Sequence, residues 1–206
     1  MVDRLCTVIG VGNLGPVLRD MGRDAEGLEY AERHLALARE IGYRRGEAIA
    51  LANLGVALCP FERYVEAQER YEQCIRLCRD IGERQLEGTA LSNLGSVLGK
   101  LGEHARAEEI LHHALAIWQE IGDQNRETTS LVRLGLTFVQ QGRYAQALEC
   151  FERCMRLDRE RGDPHSEAVT GANVGGLWVQ MGRREDARRT LDSTLALSRE
   201  IGANNP

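Results

Sequence analysis

The sequence predicts an all-α solenoid built from about five antiparallel helix pairs, and two observations predict it. A polar residue followed by an apolar residue and glycine recurs every 40 residues: Asn13-Leu14-Gly15, Asn53-Leu54-Gly55, Asn93-Leu94-Gly95, Arg133-Leu134-Gly135 and Asn173-Val174-Gly175. A fixed period of this length marks a repeat architecture, in which each unit buries its apolar face on its neighbours. Between these marks the apolar residues keep helical spacing. Tyr71, Leu111, Phe151 and Leu191 share one register, and Ile75, Leu115, Met155 and Leu195 follow one turn later on the same face.

Each unit reads as two helices, A and B, with repeats at 3–42, 43–82, 83–122, 123–162 and 163–202, all in a single array over 1–206. In the first repeat, Gly10, Gly12, Gly15 and Pro16 fall within helix A. Glycine and proline are the poorest helix formers, so this helix is expected to be bent or frayed. In the second repeat, Pro60-Phe61-Glu62 stands where the others carry Gly22, Gly102, Gly142 and Gly182. Helix A should therefore end early there and the corner should be altered. In the fourth repeat, Asp123 caps a helix reaching about Gln140, Gly142 breaks it, and a second helix runs from Tyr144 to about Glu160. The fifth repeat opens on Asp163-Pro164, a cap residue followed by proline in the first turn.

Other registers have plain physical readings. Ala67, Ala107, Ala147 and Ala187 are small enough to let paired helices approach. Ile41-Gly42, Ile81-Gly82, Ile121-Gly122 and Ile201-Gly202 close their units, the glycine supplying the left-handed residue after a helix. Glu47, Glu87, Glu127 and Glu167 sit in first turns of A helices, where negative charge suits the helix dipole; this reading is preferred to a row of catalytic acids.

Composition excludes several classes of function. Net charge is −5, hydrophobic residues make up 43% and charged residues 28%, a balance that gives no general attraction to nucleic acid or anionic lipid. The arginines at 183, 184, 188 and 189 are interrupted by Glu185 and Asp186, so no nucleic-acid partner is expected. No apolar run is long enough to span a membrane and the N-terminus has no secretory pattern, so the chain is read as cytoplasmic with no membrane partner. Cys74/Cys78 and Cys150/Cys154 are spaced four apart within helices and read as reduced core residues; no cofactor and no metal are expected. His112-His113 reads as a surface pair without a nucleophile beside it, and the chain is expected not to be an enzyme. Trp178 shares a register with Leu18, Leu58, Leu98 and Phe138 and reads as core, whereas Trp118 reads as partly buried.

Gly10-Val11-Gly12-Asn13-Leu14-Gly15 fits the G-x-G-x-x-G fingerprint of dinucleotide-binding strand–helix units. The repeat argues against that role. Gly15 belongs to the helix-packing register of Gly55, Gly95, Gly135 and Gly175, and a strand here would contradict four helical equivalents.

The order Leu, Gly, aromatic or Leu, Gly, Ala, aromatic or Leu resembles the tetratricopeptide repeat (TPR), in a form longer than the usual length of about 34 residues. The stretch AREIGYRRGEAIALANLG is similar to the arrays of G-protein-signalling modulators and kinesin light chains, and to those ending bacterial multidomain switch ATPases. The resemblance implies a right-handed superhelix whose A helices line a concave groove, with the residue before Leu-Gly pointing into it. Asn13, Asn53, Asn93, Arg133 and Asn173 would then form a ladder that holds a peptide backbone, with Arg133 suited to a carboxylate. Thr89, Ser96 and Thr129 flank the ladder, with Ile49, Val56, Leu136, Val169 and Gly176 nearby. The expected function is a module binding a peptide or protein segment. The alternatives are a sensor segment of a larger bacterial signalling ATPase and a self-assembly scaffold. No polar capping helix follows Ile201-Gly202-Ala203-Asn204-Asn205-Pro206, which leaves the chain as part of a longer protein or as one that self-associates through uncapped ends.

Overall fold

The computed structural model of the chain describes residues 2–204, and these contain ten α-helices and no strand. They pair in order: α1 (Val2–Asp20) with α2 (Asp24–Glu40), α3 (Arg44–Leu58) with α4 (Tyr64–Ile81), α5 (Arg84–Lys100) with α6 (His104–Ile121), α7 (Gln124–Gln140) with α8 (Tyr144–Arg161), and α9 (Pro164–Gln180) with α10 (Arg184–Asn204). The chain divides into two compact units, residues 1–117 and 118–206. Residues 205 and 206, the end of the expected uncapped tail, lie outside the described residues.

The recurring glycine of each Leu-Gly pair allows helix A and helix B to meet. In the first unit, a Cβ on Gly55 would lie 2.7 Å from the Tyr71 ring, and one on Gly95 would lie 2.5 Å from Leu111. In the second unit the same relation joins Gly135 to Phe151 at 2.6 Å and Gly175 to Leu191 at 2.4 Å. Each large side chain on helix B thus occupies the volume that glycine leaves vacant, which sets the spacing of every such hairpin. The first hairpin differs. Gly15 faces the backbone of α2, with its would-be Cβ 3.3 Å from the Gly27 carbonyl oxygen.

Helix ends follow the expected chemistry. Asp123 accepts a hydrogen bond from the Arg126 N–H at 3.1 Å, and Asp163 accepts one from the Ser166 N–H at 3.0 Å. At the altered corner α3 stops at Leu58, a short 3-10 turn spans Cys59–Phe61, and Glu62 takes a left-handed φ of 56° where Gly22 has 73°. Before α2, α4 and α10, an arginine at the cap position grips the carboxylate three residues on: Arg23 to Glu26 at 2.7 Å, Arg63 to Glu66 at 2.6 Å and Arg183 to Asp186 at 2.6 Å.

Four expectations are corrected. Helix α1 is not frayed across its glycines and Pro16 but continuous from Val2 to Asp20, and Gly12 and Gly15 are contact points for α2. Gly202 does not end its helix, which runs on to Asn204; among the described residues no further helix packs there to turn the chain. Trp118 is fully buried, at 1% exposure, with the Arg126 guanidinium 5.2 Å from its ring centroid. Trp178 is only half-buried, and Arg183 lies 4.2 Å above its ring, a cation–π contact replacing core packing on that face.

Candidate functional site

In the first unit the asparagines stand at the same register of α1, α3 and α5. Asn13 is exposed, and Asn53 and Asn93 are half-buried. Their chain neighbours Leu54 and Leu94 are buried, so each A helix turns its apolar side inward and its amide toward accessible surface. Asn53 also lines a small cleft with Gly12, Gly15, Pro16 and Ala57. In the second unit Arg133 and Asn173 are half-buried at the equivalent positions of α7 and α9, and Leu136 and Val169 are exposed beside them.

The flanking hydroxyls are less available than their exposure suggests. Thr89 donates to the Gln85 carbonyl at 3.0 Å, Thr129 to the Asn125 carbonyl at 3.0 Å, and Ser96 to the Ser92 carbonyl at 3.4 Å. A hydroxyl that has spent its proton on its own helix keeps only its lone pairs for any further partner. The amide of asparagine, with two donors and an acceptor, remains the richer group for an extended chain.

The glutamate register does more than complement helix dipoles. In the first unit Arg39 on α2 donates to Glu47 on α3, and Arg79 on α4 donates to Glu87 on α5, each at 2.7 Å. In the second unit Gln119 reaches Glu127 at 3.1 Å and Arg159 reaches Glu167 at 2.5 Å. Glu87 receives a second arginine, Arg84, at 2.8 Å, and Glu127 also pairs with Arg153. These carboxylates fasten each helix A to the helix B before it, and their lone pairs are committed to structure. The signal lay in the sequence as an arginine or glutamine eight residues ahead of each glutamate.

Two buried polar groups depart from the repeat. His34 on α2 is buried, and its imidazole fills the space left by Gly12, whose Cβ would lie 2.6 Å from the ring. Its Nδ1 has no hydrogen-bond partner, and burial pushes its pKa below the usual 6.5. Gly12 of the dinucleotide-like motif is thus explained by packing against a histidine. On α8, Asp158 is buried beside Arg161 at 2.8 Å and within 3.4 Å of the Thr170 hydroxyl. Burial raises the Asp158 carboxyl, and Arg161 opposes that shift. Other repeats carry isoleucine at the register of Arg161, so this pair is a local substitution of polar for apolar packing.

The cysteine pairs are buried as thiols rather than disulfides. Cys74 and Cys154 donate to the carbonyls of Ala48 and Thr128, both at 3.2 Å. Burial pushes the Cys154 thiol up to about 12, far from the thiolate form a metal or nucleophilic role requires. His112 and His113 are exposed. Among the C-terminal arginines, Arg183 and Arg189 both bind Asp186, which compensates much of that cluster's charge.

Paired helices with glycine-to-bulk contacts at a 40-residue period define a helical-repeat protein. A tetratricopeptide repeat model matches residues 6–80 and 86–160, and the chain belongs to that family. No protein of curated function matches the sequence. Among solved structures it is similar to the nearly identical TPR-like repeats of a Podosopora anserina protein assigned as a kinesin light chain. The two share 17% identity and a TM-score of 0.79, over 95% of this chain and 96% of that one. It is also similar to BtubC (BKLC) from P. vanneervenii, at 19% identity and TM-score 0.81 over 96% and 85%. YrrB, described as a TPR protein with an unusual peptide-binding site, matches at 22% identity and TM-score 0.58 over 92% and 86%. At these identities the likeness shows the fold alone. Repeats of this family serve in general as protein–protein interaction modules, and no helix among the described residues is long and apolar enough to cross a membrane.

Proposed function

We propose that the chain binds an extended peptide or protein segment on the surface of its A helices, with asparagine amides holding the ligand backbone. In the first unit the contacts are Asn13, Asn53 and Asn93, with Thr89 and Ser96 as acceptors. In the second unit Arg133 receives a carboxylate from an acidic side chain or a free C-terminus, beside Thr129 and Asn173. The observation that carries this reading is the register. At this register α1, α3, α5 and α9 each carry an amide, and those of Asn53, Asn93 and Asn173 reach accessible surface immediately before a buried Leu54, Leu94 or Val174. Backbone recognition by side-chain amides fits an extended ligand and leaves its sequence to be read by the neighbouring apolar positions. The reading is of a non-catalytic scaffold, as is typical of this repeat.

Peptides selected on the chain from a displayed library test it. Asn53→Ala with Asn93→Ala should weaken the selected peptides by about tenfold or more, the scale of one to two lost hydrogen bonds. Arg133→Ala should weaken only peptides whose carboxylate is intact, and amidating that carboxylate in the peptide should have the same effect. Unchanged affinities in both variants would overturn the ladder.

A further inference from the structure

At the register of Trp178 the other repeats carry Leu18, Leu58, Leu98 and Phe138, all buried, whereas the indole is half-buried. Residues of α8, α9 and α10 line a cleft of about 350 Å³ there, in which Met155, Trp178 and Leu197 supply the apolar surface. The same register of the first unit forms a cleft of about 260 Å³, with Leu58 in place of Trp178 and Arg70 in place of Thr190. The shorter threonine leaves room that arginine takes up in the first unit, and it leaves that room beside an indole.

The polar lining of this cleft is rich in donors. Arg159 spends one N–H on Glu167 at 2.5 Å, and Arg189 spends one on Asp186 at 2.7 Å. Because a guanidinium carries about five N–H donors, each keeps most of its own for a ligand. Asp186 also holds Arg183 at 2.6 Å, so three guanidiniums stand against two carboxylates and the surplus charge is positive. Arg183 covers part of the indole but does not line the cleft, which therefore meets the ring on a side that Arg183 leaves open.

We infer that this cleft is a second binding site, and that its ligand is a small planar aromatic carboxylate. The ligand ring packs on Trp178 with Met155 and Leu197 around it, and the carboxylate takes N–H groups of Arg189, the more exposed of the two lining arginines. One negative charge matches the surplus positive charge. A volume near the lower end of the range for ligand pockets, about 300–1,000 Å³, sets a small molecule as the occupant. Trp178 follows Asn173 by five residues on α9, which turns it about 140° around the helix. The cleft is thus separate from the asparagine ladder, and the two sites stand or fall independently.

Naphthoate titrated into the full chain, with the indole N–H signals followed by proton–nitrogen correlation NMR, tests the inference. The Trp178 signal should shift and saturate with a Kd below about 1 mM, the scale open to so small a ligand, while that of buried Trp118 stays in place. Naphthamide keeps the ring and loses the charge, and cyclohexanecarboxylate keeps the charge and loses the ring. Each should bind about tenfold more weakly or worse. Thr190→Tyr, which installs the residue that Tyr30 already provides at this register, fills the cleft and should abolish the shift. Arg189→Gln changes an exposed side chain, so it should keep wild-type circular dichroism and weaken naphthoate about tenfold. A Trp178 signal that does not move overturns the proposal, as does an equal shift at Trp118. So does either control compound binding as tightly as naphthoate, or undiminished binding by a folded Thr190→Tyr or by Arg189→Gln.

Discussion

The hairpins α1–α2 and α3–α4 share one unit and one register, yet they fill it with opposite choices. In α3–α4 a glycine receives a ring: Gly55 makes room for Tyr71, and Cys74 satisfies its S–H on the Ala48 carbonyl. In α1–α2 the position of Tyr71 is Ala31, the helices approach backbone to backbone at Gly15 and Gly27, and the bulk moves one turn to His34 against Gly12. What the repeat conserves is the combined volume between paired helices, not the residue at any one place. A close-packed interior allows such exchanges only when both partners change together.

The largest expected effect comes from emptying the aromatic site. Tyr71→Ala should cost about 3–5 kcal/mol, since a fully buried ring is removed and nothing in α3 can follow it inward. Urea unfolding followed by circular dichroism measures this, and a cost near zero would mean that the ring is not the core of that hairpin. Gly12→Ala should cost about 1–3 kcal/mol by forcing the new methyl against His34. Adding His34→Cys, the residue of the α4 and α8 registers, should recover most of the loss in a double-mutant cycle.

The two hairpins should also part company with pH. His34 is held neutral by burial, so its folded pKa lies below the unfolded value near 6.5 and the unfolded chain binds the proton more tightly. The stability due to neutral His34 is complete above that value. It is lost as pH falls through 6.5 toward the folded pKa, and levels off below it. Melting curves of the wild type and of His34→Cys should diverge in that window, and parallel curves would refute a buried neutral imidazole. The smallest effect lies at the corner. Glu62→Gly should stabilise α3–α4 by about 1 kcal/mol, because glycine occupies the left-handed region without the Cβ penalty that glutamate bears at φ 56°.

Much of the proposed binding surface was legible in the sequence, because a 40-residue period carries Asn13, Asn53 and Asn93 to one register whatever their surroundings. The roles of the flanking hydroxyls were not legible. Whether Thr89 or Thr129 spends its proton on its own helix depends on side-chain rotation, which spacing does not encode.

The sequence by itself determined the helices, their pairing, the caps at Asp123 and Asp163, the broken corner at Pro60 and the glycine register, since all of these follow from local propensity and periodicity. Only the tertiary structure decided that α1 stays continuous through Pro16, that Trp118 is buried while Trp178 is not, and that Gly12 exists for His34. It alone also decided that arginines of one hairpin fasten glutamates of the next. These outcomes depend on which surfaces meet, and the free energy of a meeting surface belongs to both partners at once, whereas a helical period can be read from one segment alone.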